Sequence, residues 1–292
     1  MCRVVDLRQA VLAENDASAL ALREYLAAQG TVEVNLLSSP GSGKTALLEG
    51  LLSRAVAAGT PVAAITADLA TENDARRLAR AGAPVKQVLT DGLCHLEAGM
   101  LRGHLDGWLP RETRVLFVEN VGNLVCPASY DIGESLRIVL GSVTEGEDKP
   151  LKYPTAFGLA HLVVITKTDI AGAVEFDGPA FRRNVQQVNP GVPVLETSAR
   201  TGAGVDELLA FVLGHAAGVP AHRPLLARRH ARHAHHRHDD GNARGPHADG
   251  HRHHDPGDPG DSHSHSHSHS HSDDPGHSRP APSAVRGTAE AP

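Results

Sequence analysis

Apolar residues along the first three-quarters of the chain follow two alternating periods. Short, mostly apolar segments at 32–37, 62–67, 115–118, 136–139 and 162–165 have the length and β-branching of buried strands. Residues 85–89 and 192–196 read as two further short strands. Between them lie helical repeats. The spacing predicts helices over 6–29, with Leu12, Leu20, Leu22 and Leu26 among the apolar positions, and over 44–58, with Leu47, Leu48, Leu51 and Leu52 inward. Further helices are predicted over 71–80, 96–105, 179–188 and 205–213. Strand–helix alternation of this kind indicates an α/β fold, a mostly parallel sheet with helices on both faces.

The pattern stops near residue 220. Beyond it the chain is Arg, His, Asp, Gly, Pro and Ser, and large apolar side chains nearly vanish. Such a segment cannot bury enough surface to offset its chain entropy. The reading is a globular domain over 1–220 and a disordered His-rich tail over 221–292. The net charge of −6 gives no basic field for nucleic acid. No apolar run reaches the roughly 18 residues that span a bilayer, and the start from Met1 to Asp6 lacks the apolar centre of a secretory signal. The expectation is a cytoplasmic protein with neither nucleic acid nor membrane as partner. Three cysteines, Cys2, Cys94 and Cys126, are too few and too scattered for a disulfide framework.

The first strand runs into Ser38-Ser39-Pro40-Gly41-Ser42-Gly43-Lys44-Thr45. Gly41, Ser42 and Gly43 let successive backbone N–H groups face a phosphate, and the helix that follows adds its positive end. Lys44 is placed to reach the β- and γ-phosphates and Thr45 to ligate magnesium. Ser38 stands where the strict P-loop pattern has Gly. Glu119 and Asp68 end two strands at the same sheet edge, where open α/β sheets gather their ligands. Both are candidates for holding magnesium or organising the attacking water, although an acidic residue after a strand is often only a helix cap. Lys44, Glu119 and Asp68 form the candidate catalytic set.

The strand at 162–165 continues into Thr166-Lys167-Thr168-Asp169, close to the Asn-Lys-x-Asp pattern of GTPases. A carboxylate at Asp169 accepts from guanine N1–H and N2–H₂, a donor pair adenine lacks, while the Lys167 stem lies along the base. Thr166 replaces the usual Asn, which predicts a weaker local scaffold. Ser198-Ala199, after the last strand, matches the loop whose backbone N–H meets guanine O6. Both motifs in order behind a P-loop favour GTP over ATP, and with them the fold class sharpens to a P-loop GTPase.

Cys94 and His95 are adjacent, and Cys126 follows Glu119 within one loop. Thiolate and imidazole suit zinc and nickel. Neighbouring residues on a regular element point apart, so Cys94 and His95 share an ion only across an irregular turn, which Gly92 can supply. Three ligands leave the site open to water or to a second subunit. Two inert buried cysteines and a surface histidine are the plainer alternative.

The runs Asn35 to Thr45, Gly92 to Leu96, Glu119 to Pro127 and Lys149 to Pro154 together resemble the hydrogenase nickel-incorporation GTPases, the HypB family, over about residues 1–215. The resemblance implies a GTP-dependent homodimer that uses GTP and Mg²⁺ and carries Ni²⁺ or Zn²⁺ on residues matching Cys94, His95 and Cys126. It also implies two protein partners, a hydrogenase nickel-accessory zinc protein and the large subunit of a nickel–iron hydrogenase. Some members carry an N-terminal Cys-x-x-Cys-x-Cys nickel site; Cys2 stands alone here.

Fifteen of the twenty histidines fall between His230 and His277, including the alternation His263, His265, His267, His269 and His271. Neutral imidazoles on a disordered chain can converge on divalent nickel. The rival readings are a urease-type nickel accessory GTPase, a P-loop kinase of small metabolites and a non-catalytic nickel or zinc storage protein. The separate Cys94-His95 and Cys126-Pro127 pairs argue against the first, the guanine motifs against the second, and Lys44-Thr45 against the third.

Overall fold

The computed structural model describes residues 2–68, 73–90, 92–224 and 226–227, with backbone only for 2–10 and 68. The five histidines from His263 to His271, residues 71–72 of the predicted polar helix, and the side chains of Cys2 and Asp68 lie outside the described residues.

The elements run in chain order as α1 (Cys2–Ala28), β1 (Val32–Leu37), α2 (Lys44–Ala57), β2 (Val62–Asp68), α3 (Asn73–Ala79), β3 (Val85–Leu89), α4 (Ala98–Leu105) and β4 (Val115–Glu119). They continue as β5 (Leu136–Ser142), α5 (Lys149–Lys152), α6 (Pro154–Gly158), β6 (Leu162–Thr166), α7 (Gly178–Val188), β7 (Val194–Glu196) and α8 (Val205–Ala216). The seven strands form one sheet in the order β3-β2-β4-β1-β5-β6-β7. Every pairing is parallel. β1 sits between β4 and β5, where the chain changes direction across the sheet, so the loop after β1 opens at the crevice where such sheets bind ligands.

Side chains alternate across the strands. Val115 and Phe117 of β4 face the layer of α2 and α8, whereas Leu116 and Val118 face Leu22, Leu26, Leu101 and Leu105 of α1 and α4. Each such apolar side chain, once buried, contributes about 1.5–3 kcal/mol. Leu47, Leu48, Leu51 and Leu52 are buried as the helical period requires. Leu20, one of the apolar positions of α1, is 54% exposed. It neighbours Ala19, which shares the inward face of α1 with Asn15, Leu22 and Leu26, and one residue turns the helix by about 100°.

The structure lengthens β5 to Ser142 and starts α4 at Ala98 rather than 96. The short helices α5 and α6 have too few turns to show a period in the sequence. Packing also continues past residue 220. Pro224 is buried, and His222 Nε2 meets Asn189 Oδ1 at 2.8 Å. Among the described residues no helix is long and apolar enough to cross a membrane.

Candidate functional site

At the carboxyl end of β1 the chain bends through Gly41 and Gly43 into α2. Gly43 caps the helix at φ 95°, a left-handed backbone that a side chain would strain. Lys44 Nζ folds back onto Ser38 Oγ at 3.0 Å, and the Ser42 hydroxyl donates to the same Ser38 oxygen. Ser38, the departure from the strict pattern, is thus the inner support of the loop. Lys44 is 7% exposed; burial lowers its pKa, opposed by the negative charges of Glu119, Asp74 and Glu145.

Glu119 lies 3% exposed at the end of β4. Its Oε1 accepts from Thr45 Oγ1 at 2.7 Å and its Oε2 from Thr66 Oγ1 at 3.2 Å. Burial raises the Glu119 carboxyl above its ordinary range, against the pull of Lys44. Hard oxygen donors gathered around one carboxylate are the set magnesium takes. Thr66 and Asp74 belong to this cluster and carry no motif of their own. So does Lys149, 7% exposed, whose Nζ donates to Ser39 Oγ at 2.5 Å and pairs with Glu145.

Beside the P-loop opens a cavity of about 300 Å³ lined by Ser42, Gly43, Thr166, Lys167, Asp169 and Ala199 among others. Asp169 accepts from Ser198 Oγ at 2.6 Å and from Arg200 Nε at 2.7 Å, one donor on each oxygen. Those two hydrogen bonds, Ser198 first, hold its carboxyl below the ordinary range. Each oxygen keeps a lone pair for a further donor. Lys167 adopts φ 60° and donates to Gly41 O at 2.6 Å, so its stem spans the cavity to the P-loop. The expected weak scaffold at Thr166 is corrected: its hydroxyl donates to Ser42 O at 2.7 Å and ties the strand end to the P-loop directly.

The loop after Glu119 leads to the cysteines. The Asn120 side-chain oxygen accepts from Val121 N at 2.9 Å and from Leu96 N at 3.4 Å, and Asn123 Nδ2 reaches Cys94 O at 3.5 Å. A Cβ on Gly122 would lie 3.2 Å from Pro40 Cα, so this loop rides directly on the P-loop. Cys94 and Cys126 are free, half-buried thiols; the neighbouring Cys126 side chain raises the Cys94 pKa, and burial adds to it. Cys94 Sγ stands 3.7 Å from His95 Nδ1, and the His95 ring stacks on Tyr130 with centroids 3.8 Å apart. The irregular turn after Gly92 therefore does place neighbouring side chains together. It does not complete a metal site: among the described residues no three His, Cys, Asp or Glu side chains converge closely enough to hold an ion. The far end of the loop is clamped. Arg137 donates to Ala128 O at 3.0 Å and Tyr130 O at 2.9 Å, and pairs with buried Glu134.

A parallel sheet with a P-loop at its switch point and a carboxylate-bearing cavity beside it defines a nucleotide-binding protein of the P-loop GTPase fold. The CobW/HypB/UreG nucleotide-binding domain family matches residues 33–196. The hydrogenase maturation factor HypB of Azotobacter chroococcum is 42% identical over 210 residues, covering 72% of this chain and 68% of that one. The hydrogenase/urease maturation factor HypB of Helicobacter pylori is 37% identical over 214 residues, covering 72% of this chain and 87% of its own. The crystal structure of the Helicobacter pylori HypB in complex with nickel superimposes with a TM-score of 0.66 at 37% identity, over 70% of this chain and 95% of that one. The Archaeoglobus fulgidus HypB structure gives 0.65 at 36%, over 70% of this chain and all of that one. The chain belongs to the HypB family of hydrogenase maturation factors.

Proposed function

We propose that this chain is a GTP-hydrolysing nickel metallochaperone that delivers nickel to the large subunit of a nickel–iron hydrogenase. The observation that carries the reading is one loop with chemistry at both ends. Glu119 sits on Thr45 of the P-loop, and seven residues on Cys126 lies near enough to Cys94 to shift its titration. In this reading Gly41, Ser42, Gly43 and Lys44 cradle the phosphates, and Lys44 leaves Ser38 for the transferring group. Thr45, Glu119 and Asp68 hold Mg²⁺, which neutralises charge on the β- and γ-phosphates when bound. Asp169 selects guanine, with Lys167, Ser198 and Ala199 framing the base.

Cys94, His95 and Cys126 take nickel or zinc. Two soft thiols and an imidazole suit either ion, and the missing ligands come from a second copy in a GTP-dependent homodimer. A nickel-accessory zinc protein is the expected partner for exchange. The tail histidines, His263 to His271, buffer nickel. The metal preference and the nucleotide preference are linked because both act on residues 119–126, and such linkage is reciprocal.

The test is nickel titration of the protein with GDP and with a non-hydrolysable GTP analogue. Different nickel affinities in the two states are expected. Equal affinities overturn the coupling, and equal competition by ATP overturns the guanine assignment.

A further inference from the structure

The reading of Cys94, His95 and Cys126 as a metal site leaves open which ring nitrogen of His95 binds. We propose that Glu97 and Tyr130 settle this, and that His95 coordinates through Nδ1 with Nε2–H directed at the Glu97 carboxylate. This proposal rests on that metal-site reading. His95 is 7% exposed, and its two nitrogens meet different neighbours. Nδ1 faces Cys94 Sγ at 3.7 Å. Two ligands on one tetrahedral ion, with metal–sulfur near 2.3 Å and metal–nitrogen near 2.05 Å, stand about 3.6 Å apart, whereas adjacent square-planar ligands stand about 3.1 Å apart. The observed spacing is the tetrahedral one.

Nε2 is buried and makes no hydrogen bond. Glu97 Oε1 is 3.5 Å from it, too far for a bond and close enough to make one with a small side-chain shift. The Glu97 backbone carbonyl accepts from Leu101 N at 3.0 Å, which leaves the carboxylate as the part free to turn toward His95. It caps α4, yet its side chain makes no capping hydrogen bond. A ring N–H donated to a carboxylate fixes the tautomer, leaves the lone pair on the other nitrogen and raises its basicity. Tyr130 keeps the ring from turning over. Its ring lies across the His95 face at an angle of 31°, and Arg137 holds the Tyr130 carbonyl at 2.9 Å. Glu97 and Tyr130 are positioning residues: neither touches the ion.

The experiment uses the full chain with Co²⁺ as probe, read by thiolate-to-cobalt charge transfer, which tail histidines cannot produce. Nitrogen-15 histidine labelling, assigned by loss of the signal in His95→Gln, reads the tautomer. The expected result is an Nε2–H tautomer before metal. Glu97→Leu should mix the tautomers and weaken cobalt at the thiolate site about 10- to 100-fold. Glu97→Gln, whose amide oxygen still accepts, should restore most of the affinity, and Tyr130→Leu should mix the tautomers while Glu97 remains. Nucleotide affinity, unchanged in all three, shows that the fold is intact. An Nδ1–H tautomer in the unaltered chain, or undiminished cobalt affinity in Glu97→Leu, overturns the proposal. If Cys94→Ala leaves the charge-transfer band intact, the underlying metal site falls and the proposal with it. If Cys94→Ala abolishes the band while Glu97→Leu changes nothing, the positioning role alone falls.

Discussion

The two ends of the loop from Glu119 to Cys126 are built differently. At the phosphate end the two central charged groups are held by partners: Glu119 carries one threonine on each oxygen, and Lys44 rests on Ser38. At the cysteine end the groups are half-buried thiols and an imidazole nitrogen without a hydrogen bond. A buried polar atom left unpaired costs about 1–3 kcal/mol. The first end is therefore organised before its ligand arrives, while the second gains its remaining interactions only on binding. Under the proposed function, the difference would separate a site that performs chemistry from one that takes up a cargo and lets it go.

The comparison breaks most sharply at Lys44. Lys44→Ala should lower GTP hydrolysis by about 10²- to 10³-fold, the scale for losing one donor to a developing charge, measured as phosphate release. Nickel affinity in GDP should stay as it was. Asp169→Ala should weaken GTP and GDP alike by about 10²-fold, since two hydrogen bonds to a charged group are lost; nucleotide displacement checks this. A larger loss for one nucleotide than the other would place Asp169 in the switch rather than the base pocket. Cys126→Ala should weaken nickel by more than about tenfold, because removing even a residue behind the ligands costs that much. GTP hydrolysis without metal should be unchanged. Titration followed by thiolate absorption gives the answer. The smallest effect, and the one that sharpens the comparison, belongs to Gly122→Ala. Its Cβ would press on Pro40, so each site should keep its own affinity within about threefold while the ratio of nickel affinities in the two nucleotide states moves toward one. Undiminished coupling in Gly122→Ala would route the link through other residues.

The strand order could not be read along the chain, but strand existence could, because β1, β2, β4, β5 and β6 are short, mostly apolar and β-branched segments, β1 and β5 interrupted only by Glu33, Asn35 and Arg137 among their apolar positions. The P-loop and base motifs were legible since each is a local run whose turn needs particular residues in consecutive places. What stayed hidden was tertiary. Lys149 meets Ser39 across 110 positions, Thr66 meets Glu119 across 53, and Arg200 meets Asp169 across 31. No local spacing encodes such pairs; the parallel sheet brings them together by stacking strand ends. The Cys94–His95–Tyr130 grouping has the same origin, and only the adjacency of Cys94 and His95 was visible beforehand. Which of the α1 apolar positions face inward was not legible for a different reason, since helix phase over a long apolar-rich segment is ambiguous until Asn15 and Ala19 fix the inward face and leave Leu20 outside it.

The Arg137 fork on Ala128 and Tyr130 has a consequence for timing. It pins the chain just beyond Cys126, and Glu119 pins it at the other side. Between these anchors lie only Asn120 to Pro127, eight residues. Rearranging a short tethered segment needs no diffusion of a long loop and no remaking of the core, and closing loops of this size takes on the order of 10–100 ns. Under the proposed function, such a relay would not limit the cycle, and release of metal would keep pace with each GTP consumed rather than lag behind it.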